Sequence, residues 1–240
     1  MDTRGLIAEA RRQDRAALDE QAGKQLLNAY GLTVPKSVRV SGAAEVSAVF
    51  EQLKAPVVIK VVSPDILHKS DAGGVRVNIG SPAEATAAIK AMMALPAISA
   101  SRVDGFLIEE MAPAGQEMVI GGVRDPQFGP LVMVGLGGIF VEVLADVAFR
   151  ICPIEQRDAE EMLDELKGAA ILKGARGRKP VSREAILDAL LRVGGEGGLL
   201  MNHADDIQEA DINPLIVSEV GAVAVDARFV LTKAWMVNVE

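Results

Sequence analysis

The sequence predicts an α+β protein of two lobes, and three observations carry that prediction. Segments with the 3.6-residue helical period alternate with short β-branched runs. The character of the chain then changes near Gly105, where short strands separated by Gly/Pro turns take over. The apolar fraction is 50% but only 3% is aromatic, so Ala, Val, Leu and Gly must fill the interior at close backbone spacing.

Taken in order, residues 6–30 show one helical pattern that stops at "YGL", with Gly31 as C-cap. "PVVIKVV" (56–62) reads as a buried strand. In "SPDILHKS", Ser63 as N-cap and Pro64 at the first helical position predict one or two turns presenting His68. "GVRVNI" alternates as a strand. "SPAEATAAIKAMMALP" is a helix with a Ser81/Glu84 capping box, stopped by Pro96. "FLIEEM", "EMVIGGV", "PLVMVGL" and "FRICPI" are short strands. "EEMLDELKG" and "SREAILDALLRVGG" are amphipathic helices, the second capped by Ser182 and ended by Gly194–Gly195. The basic loop "LKGARGRKPV" lies between them, and "ADINPLIV" with "AVAVDARFVL" closes the chain as a hairpin. Neither a long linker nor an internal repeat is visible.

Composition excludes several classes. A net charge of −8 and few aromatics argue against a nucleic-acid platform. A single cysteine, Cys152, permits neither an intrachain disulfide nor a cysteine zinc cage, and its apolar neighbours predict a buried thiol. The charged N-terminus lacks a signal-peptide core, and the longest uncharged run, Pro126–Val141, is too short and polar to span a bilayer. A soluble, cytoplasmic protein is expected.

The terminal hairpin is the most constrained candidate site. Asp211 and Asn213 share one face of a strand. A turn at Ser218–Gly221 sets Val217 opposite Ala222 and therefore Asn213 opposite Asp226, bringing three oxygen donors together. Hard oxygens without His or Cys suit Mg²⁺; a solvated edge hairpin is the plain alternative. Lys60 interrupts an apolar strand and must snorkel, pair or meet an anion such as phosphate. Glu109, Glu110 and Glu117 fall at the predicted junction of the lobes, as ribose-binding carboxylates or as solvated strand ends. "GLGGIF" fails the dinucleotide fingerprint, because its last position is Phe140 and no strand–helix–strand unit follows. Arg124 and Asp125 precede a turn and can form a simple ion pair there.

His68 sits in "ILHKSDAGGV" with Lys69, Asp71, Gly73 and Gly74. Neutral imidazole is a competent nucleophile toward phosphorus, and a glycine-rich loop with a lysine can satisfy phosphoryl oxygens. Isolated histidines more often pack than react, so spacing alone leaves the structural reading ahead. His203, in "MNHADD", reads as a surface residue.

The segments "GKQLLNAYGLTVP", "PVVIKVVSPDILHKSDAGGVRVNI", "GFLIEEMAPAGQEMVIGGVRDPQFGPLVMVGLGGIFVEVLADVAFRICPI" and "EADINPLIV…AVDAR" stand in one order across roughly residues 20–232. Together they resemble the β-type ATP-grasp subunit of NDP-forming acyl-CoA synthetases, the group that contains ADP-forming acetate–CoA ligase. The resemblance implies an ATP-grasp fold: an N-terminal helical segment (1–20), a small lobe carrying the His68 loop (21–104), a large lobe with the metal hairpin (105–240), and a nucleotide cleft between the lobes. It implies that His68 is phosphorylated in relay between a partner and ADP. By the same matching Lys60 touches the phosphates, Glu109, Glu110 and Glu117 line the adenosine pocket, and Arg124 joins the nucleotide set. Asp211, Asn213 and Asp226 would hold Mg²⁺.

The implied reaction converts acid, CoA and ATP to acyl-CoA, ADP and phosphate. A CoA-binding α subunit, in an α2β2 complex, is the implied partner; no CoA-binding Rossmann domain or second catalytic histidine segment is found in these 240 residues, so this chain alone is not expected to make acyl-CoA. Ser182 stands where the family often has an acidic residue, which leaves the basic loop without an assigned role. Two other readings stay open: a nucleotide-binding regulatory module without transfer, and a carboxylate–amine ligase of the same fold. The acid itself is not specified.

Overall fold

The computed structural model describes residues 2–66, 69–138, 144–174 and 179–232. Its chain forms two units, one of Pro35–Ala112 and one of Met1–Val34 with Pro113–Glu240. These bounds correct the expected breaks after residues 20 and 104. The reason is strand pairing: β4 (Gly105–Glu110) is hydrogen-bonded to β1 (Ser37–Val40) and β2 (Val57–Val62), so it belongs to the smaller unit. Conversely, α2 (Glu20–Ala29) sends Leu26 and Leu27 into the core of the larger unit.

The smaller unit is an antiparallel sheet of order β1-β4-β2-β3, with β3 at Val75–Ile79. β2 is a Val/Ile run broken only by Lys60, and every one of its residues is buried. Val57, Ile59 and Val61, with Phe106 and Ile108, join the core formed with α3 (Val46–Phe50) and α4 (Pro82–Met93). The opposite face carries Val58, Lys60, Val62, Leu107 and Glu109, all buried as well. At the start of α4 the Ser81 hydroxyl accepts from Glu84 N–H at 3.3 Å, while the Glu84 carboxylate reaches back to Gly80 N–H at 2.8 Å. Pro96 opens a further short helix, α5 (Pro96–Ser99).

Two helical expectations are corrected. The 6–30 pattern is two helices, α1 (Thr3–Arg12) and α2, because Asp14 is left-handed (φ 53°) and Asp19 caps a new start by accepting from Ala22 N–H. Between them, Leu18 N–H donates to Phe229 and Ala16 accepts from Leu231, so this segment pairs with a strand instead. Residues 63–66 are not helical: the Ser63 hydroxyl accepts from Asp65 N–H in a tight turn, and the Asp65 carboxylate is taken by Arg102 N–H at 2.7 Å.

The larger unit is built on β5 (Gln116–Asp125), β6 (Gly129–Leu136), β7 (Val147–Ile151), β8 (Ile207–Val217), β9 (Ala222–Ala224) and β10 (Ala227–Leu231). Their order is β10-β8-β5-β6-β7, with β9 beside β8. Val132, Val134, Leu136 and Ile212 pack on one face against α2, α6 (Gln156–Glu165) and α7 (Arg183–Gly194). Register places Arg228, Asp211, Gly121, Met133 and Phe149 in one row across the other face. Cys152 is buried, as expected, and burial pushes its thiol up to about 12.

Candidate functional site

The hairpin register matches the sequence prediction residue for residue. Val217 lies opposite Ala222, and Asn213 N–H donates to the Asp226 carbonyl at 3.1 Å. Asp211 and Asn213 alternate with buried Ile212, and the Asp226 position falls on their face. Partial desolvation, and after it the Asp226 carboxylate, raise the Asp211 acid above its ordinary value, while Arg228 opposes them. Arg228, directly opposite Asp211, is the member of this face that the sequence reading missed. The same register arithmetic finds it, since it sits two residues beyond Asp226. Among the described residues no group of three His, Cys, Asp or Glu side chains is gathered for a metal. Two carboxylates and one amide oxygen nevertheless fit Mg²⁺, which takes few protein ligands and keeps water and phosphate for the rest of its shell. A divalent cation there would offset both the desolvation of Asp211 and its repulsion by Asp226.

In the smaller unit, Lys60 Nζ lies 2.6 Å from Glu109 Oε1, with the side chains 6% and 1% exposed. Lys60 faces Leu107 and Glu109 faces Val58, so the contact runs diagonally between β2 and β4. Glu110 points to the other side, where its carboxylate accepts from Lys54 N–H at 2.9 Å. Glu117 is in the larger unit, exposed near the start of β5, with its carbonyl accepting from Gly137 N–H at 2.8 Å. The three glutamates expected to act alike therefore have three different environments.

Arg124 does not join them. It is paired with Asp205 at 3.1 Å, not with Asp125, whose carboxylate instead accepts from Gln127 and Phe128 N–H in the β5–β6 turn. Seven residues of strand separate Arg124 from Glu117, about 23 Å, and its parity along β5 matches core-facing Ile120 instead of Gly121, the neighbour of Asp211.

His68 lies outside the described residues, but the loop after it is defined. Gly74 N–H closes onto the Lys69 carbonyl, Gly73 N–H onto Ser70, and the Gly74 carbonyl accepts from Val61 N–H at 2.8 Å. Gly73 has φ +71°, and a Cβ on Gly74 would meet Val61 Cγ1 at 2.5 Å and the Lys69 carbonyl at 3.1 Å. Both glycines are required by the backbone. Lys69 and Asp71 occupy the turn that they close. In "GLGGIF", a Cβ on Gly137 would stand 2.9 Å from the Glu117 backbone, so this glycine allows close chain approach; Ile139 and Phe140 lie outside the described residues. Residues 175–178 of the basic loop also lie outside them.

His203 is a correction. It is 2% exposed, stacked edge-on to Tyr30 with ring centroids 5.9 Å apart, because the short helix α8 (Leu199–Asn202) turns it inward. Burial lowers its basicity, with the Asp206 carboxylate opposing.

Comparison with known proteins defines the class first. A model of the ATP-grasp domain matches residues 9–231, in agreement with the two α+β units. The β subunit of ADP-forming acetate–CoA ligase I from Pyrococcus furiosus is 44% identical over 230 residues, 95% of this chain and 97% of that one. The ADP-forming acetate–CoA ligase I of Archaeoglobus fulgidus is 43% identical over 210 residues, covering 87% of this chain but 30% of the relative. Among solved structures, the dinucleotide-forming acetyl-coenzyme A synthetase 1 of Ca. Korarchaeum cryptofilum, in complex with coenzyme A, Ca-AMPCP and HgCl+, superposes with a TM-score of 0.90 at 40% identity, covering 96% of this chain and all of that one. A second structure of it, with Mg-AMPPCP, has its phosphohistidine segment pointing towards the nucleotide binding site; the TM-score is 0.83 at 40% identity over 96% of this chain and 100% of that one. This chain belongs to the ATP-grasp β-subunit family of ADP-forming acyl-CoA synthetases.

Proposed function

We propose that this chain is the nucleotide-binding subunit of an ADP-forming acyl-CoA synthetase and works through a phosphohistidine at His68. The observation that carries the reading is the Asp211–Asn213–Asp226 face in a chain matched to the β subunit of such a ligase along 95% of its length. Mg²⁺ bound on that face, with ATP or ADP, would withdraw charge from the phosphates. Lys60 supplies positive charge toward them, and the exposed Glu117 carboxylate suits the ribose hydroxyls. A neutral His68 nitrogen attacks the γ-phosphorus; the bond from phosphorus to the bridging oxygen breaks, and ADP leaves with that oxygen. The Lys69–Gly74 turn fixes where the loop re-enters β3. The phosphoryl group is then handed to a CoA-binding α subunit, where acid and CoA complete the reaction; the reverse direction makes ATP.

The partner reading is supported by the relatives, one a separate β subunit and one a single chain of which this sequence spans 30%. We propose an α2β2 assembly working in the cytoplasm. Among the described residues no helix is long and apolar enough to cross a membrane.

Incubation with γ-labelled ATP and Mg²⁺ tests the reading. It predicts acid-labile, base-stable label that His68→Ala abolishes. Equal labelling of that variant refutes the relay, and Mg·ATP binding without label identifies a regulatory module instead.

A further inference from the structure

Lys60 and Glu109 form a charged pair where the fold asks for none. Their neighbours on that sheet face, Val58, Val62 and Leu107, are apolar and buried. A buried ion pair costs desolvation that an apolar pair of similar volume avoids, so stability alone does not account for it. Register shows what the pair achieves. Lys60 opposes Leu107, and Glu109 lies one diagonal step along β4, so the carboxylate draws the long lysine side chain across the sheet at 2.6 Å. An ammonium has three donors, so one can hold to Glu109 while another turns to a phosphate oxygen.

We infer that Glu109 is a positioning residue: it fixes the Lys60 ammonium for the nucleotide phosphates and does not itself bind the adenosine. This rests on the nucleotide-binding reading above and changes the part Glu109 plays within it. The glutamates divide the work, with Glu109 on Lys60, Glu110 on Lys54 N–H, and Glu117 exposed for a hydroxyl.

The test is a double-mutant cycle in the full chain, reading calorimetric or competition affinities for Mg·ATP and for adenosine. Glu109→Gln should weaken Mg·ATP about tenfold or more, the scale of one charge-assisted hydrogen bond, and change adenosine less than about twofold. Lys60→Met and Lys60→Met/Glu109→Gln should lose equal affinity for Mg·ATP, because without the lysine the glutamate has nothing to position. The double variant removes both members of the pair together, so it keeps the cycle readable if Glu109→Gln folds poorly. Additive losses, or equal weakening of ATP and adenosine, would show that Glu109 touches the ligand or only supports the fold, and either overturns the inference. A parent chain that fails to bind Mg·ATP overturns the nucleotide reading and this inference together.

Discussion

The two sheets hold charge in opposite ways. On the smaller sheet, Lys60 and Glu109 neutralise one another inside a buried face. On the larger sheet, desolvation and then the neighbouring Asp226 carboxylate raise the Asp211 acid, while Arg228 opposes them. A strand face that satisfies its own charge can remain so through folding. One that concentrates like charge is poised for a cation supplied from outside. The first arrangement is suited to orienting a residue, and the second to recruiting an ion.

The sharpest way to break this comparison is to unpair the buried site. Glu109→Ala takes a carboxylate away from the buried Lys60 ammonium and should lower stability by about 3–5 kcal/mol, read from urea unfolding. Lys60→Met/Glu109→Leu should fall within about 1 kcal/mol of the parent. Equal losses in both variants would mean that shape, not charge, holds this face. Next in size, Gly74→Ala must displace Val61 or the Lys69 carbonyl and should cost about 1–3 kcal/mol. It should also slow labelling of His68, whose loop this turn closes.

On the larger sheet the effects are smaller and depend on pH. Asp211 is raised in the folded chain, so the folded state holds its proton more tightly than the unfolded one. Its contribution therefore falls as pH rises from the ordinary aspartate range through the raised value. Asp226→Asn should return the Asp211 titration toward normal by carboxyl NMR; an unchanged titration would deny the proximity. His203 gives the opposite sign. Its lowered basicity means stability is full above about pH 6.5, the unfolded value, and declines as pH falls below it. His203→Phe should flatten that acid limb in urea unfolding, whereas an unaltered limb would place the titration elsewhere.

Periodicity revealed much of this molecule and contact revealed the rest. The hairpin was legible because a four-residue turn and a period of two leave one register, and Asn213 does meet Asp226. The strand at 57–62 was legible as a β-branched run interrupted only by Lys60. Failures came where long-range partners overrule local pattern. Asp65 is claimed by Arg102 N–H, so no helix starts at Ser63. Residues 16–18 pair with β10 and split a helical pattern in two. β1 was too short to signal itself, and His203 looked polar from its neighbours although Tyr30, far away in sequence, covers it. Three glutamates in one run of sequence gave no sign that only one would reach Lys60.

The most direct measurement is peptide mapping, at neutral to alkaline pH, of the chain after incubation with ATP, with Mg²⁺ present or chelated and in parent and Asp211→Asn/Asp226→Asn forms. Phosphate is expected on His68 in the parent with Mg²⁺, and little without Mg²⁺ or without the two carboxylates. Phosphate on another residue, or on His68 irrespective of Mg²⁺ and of Asp211 and Asp226, would contradict this expectation.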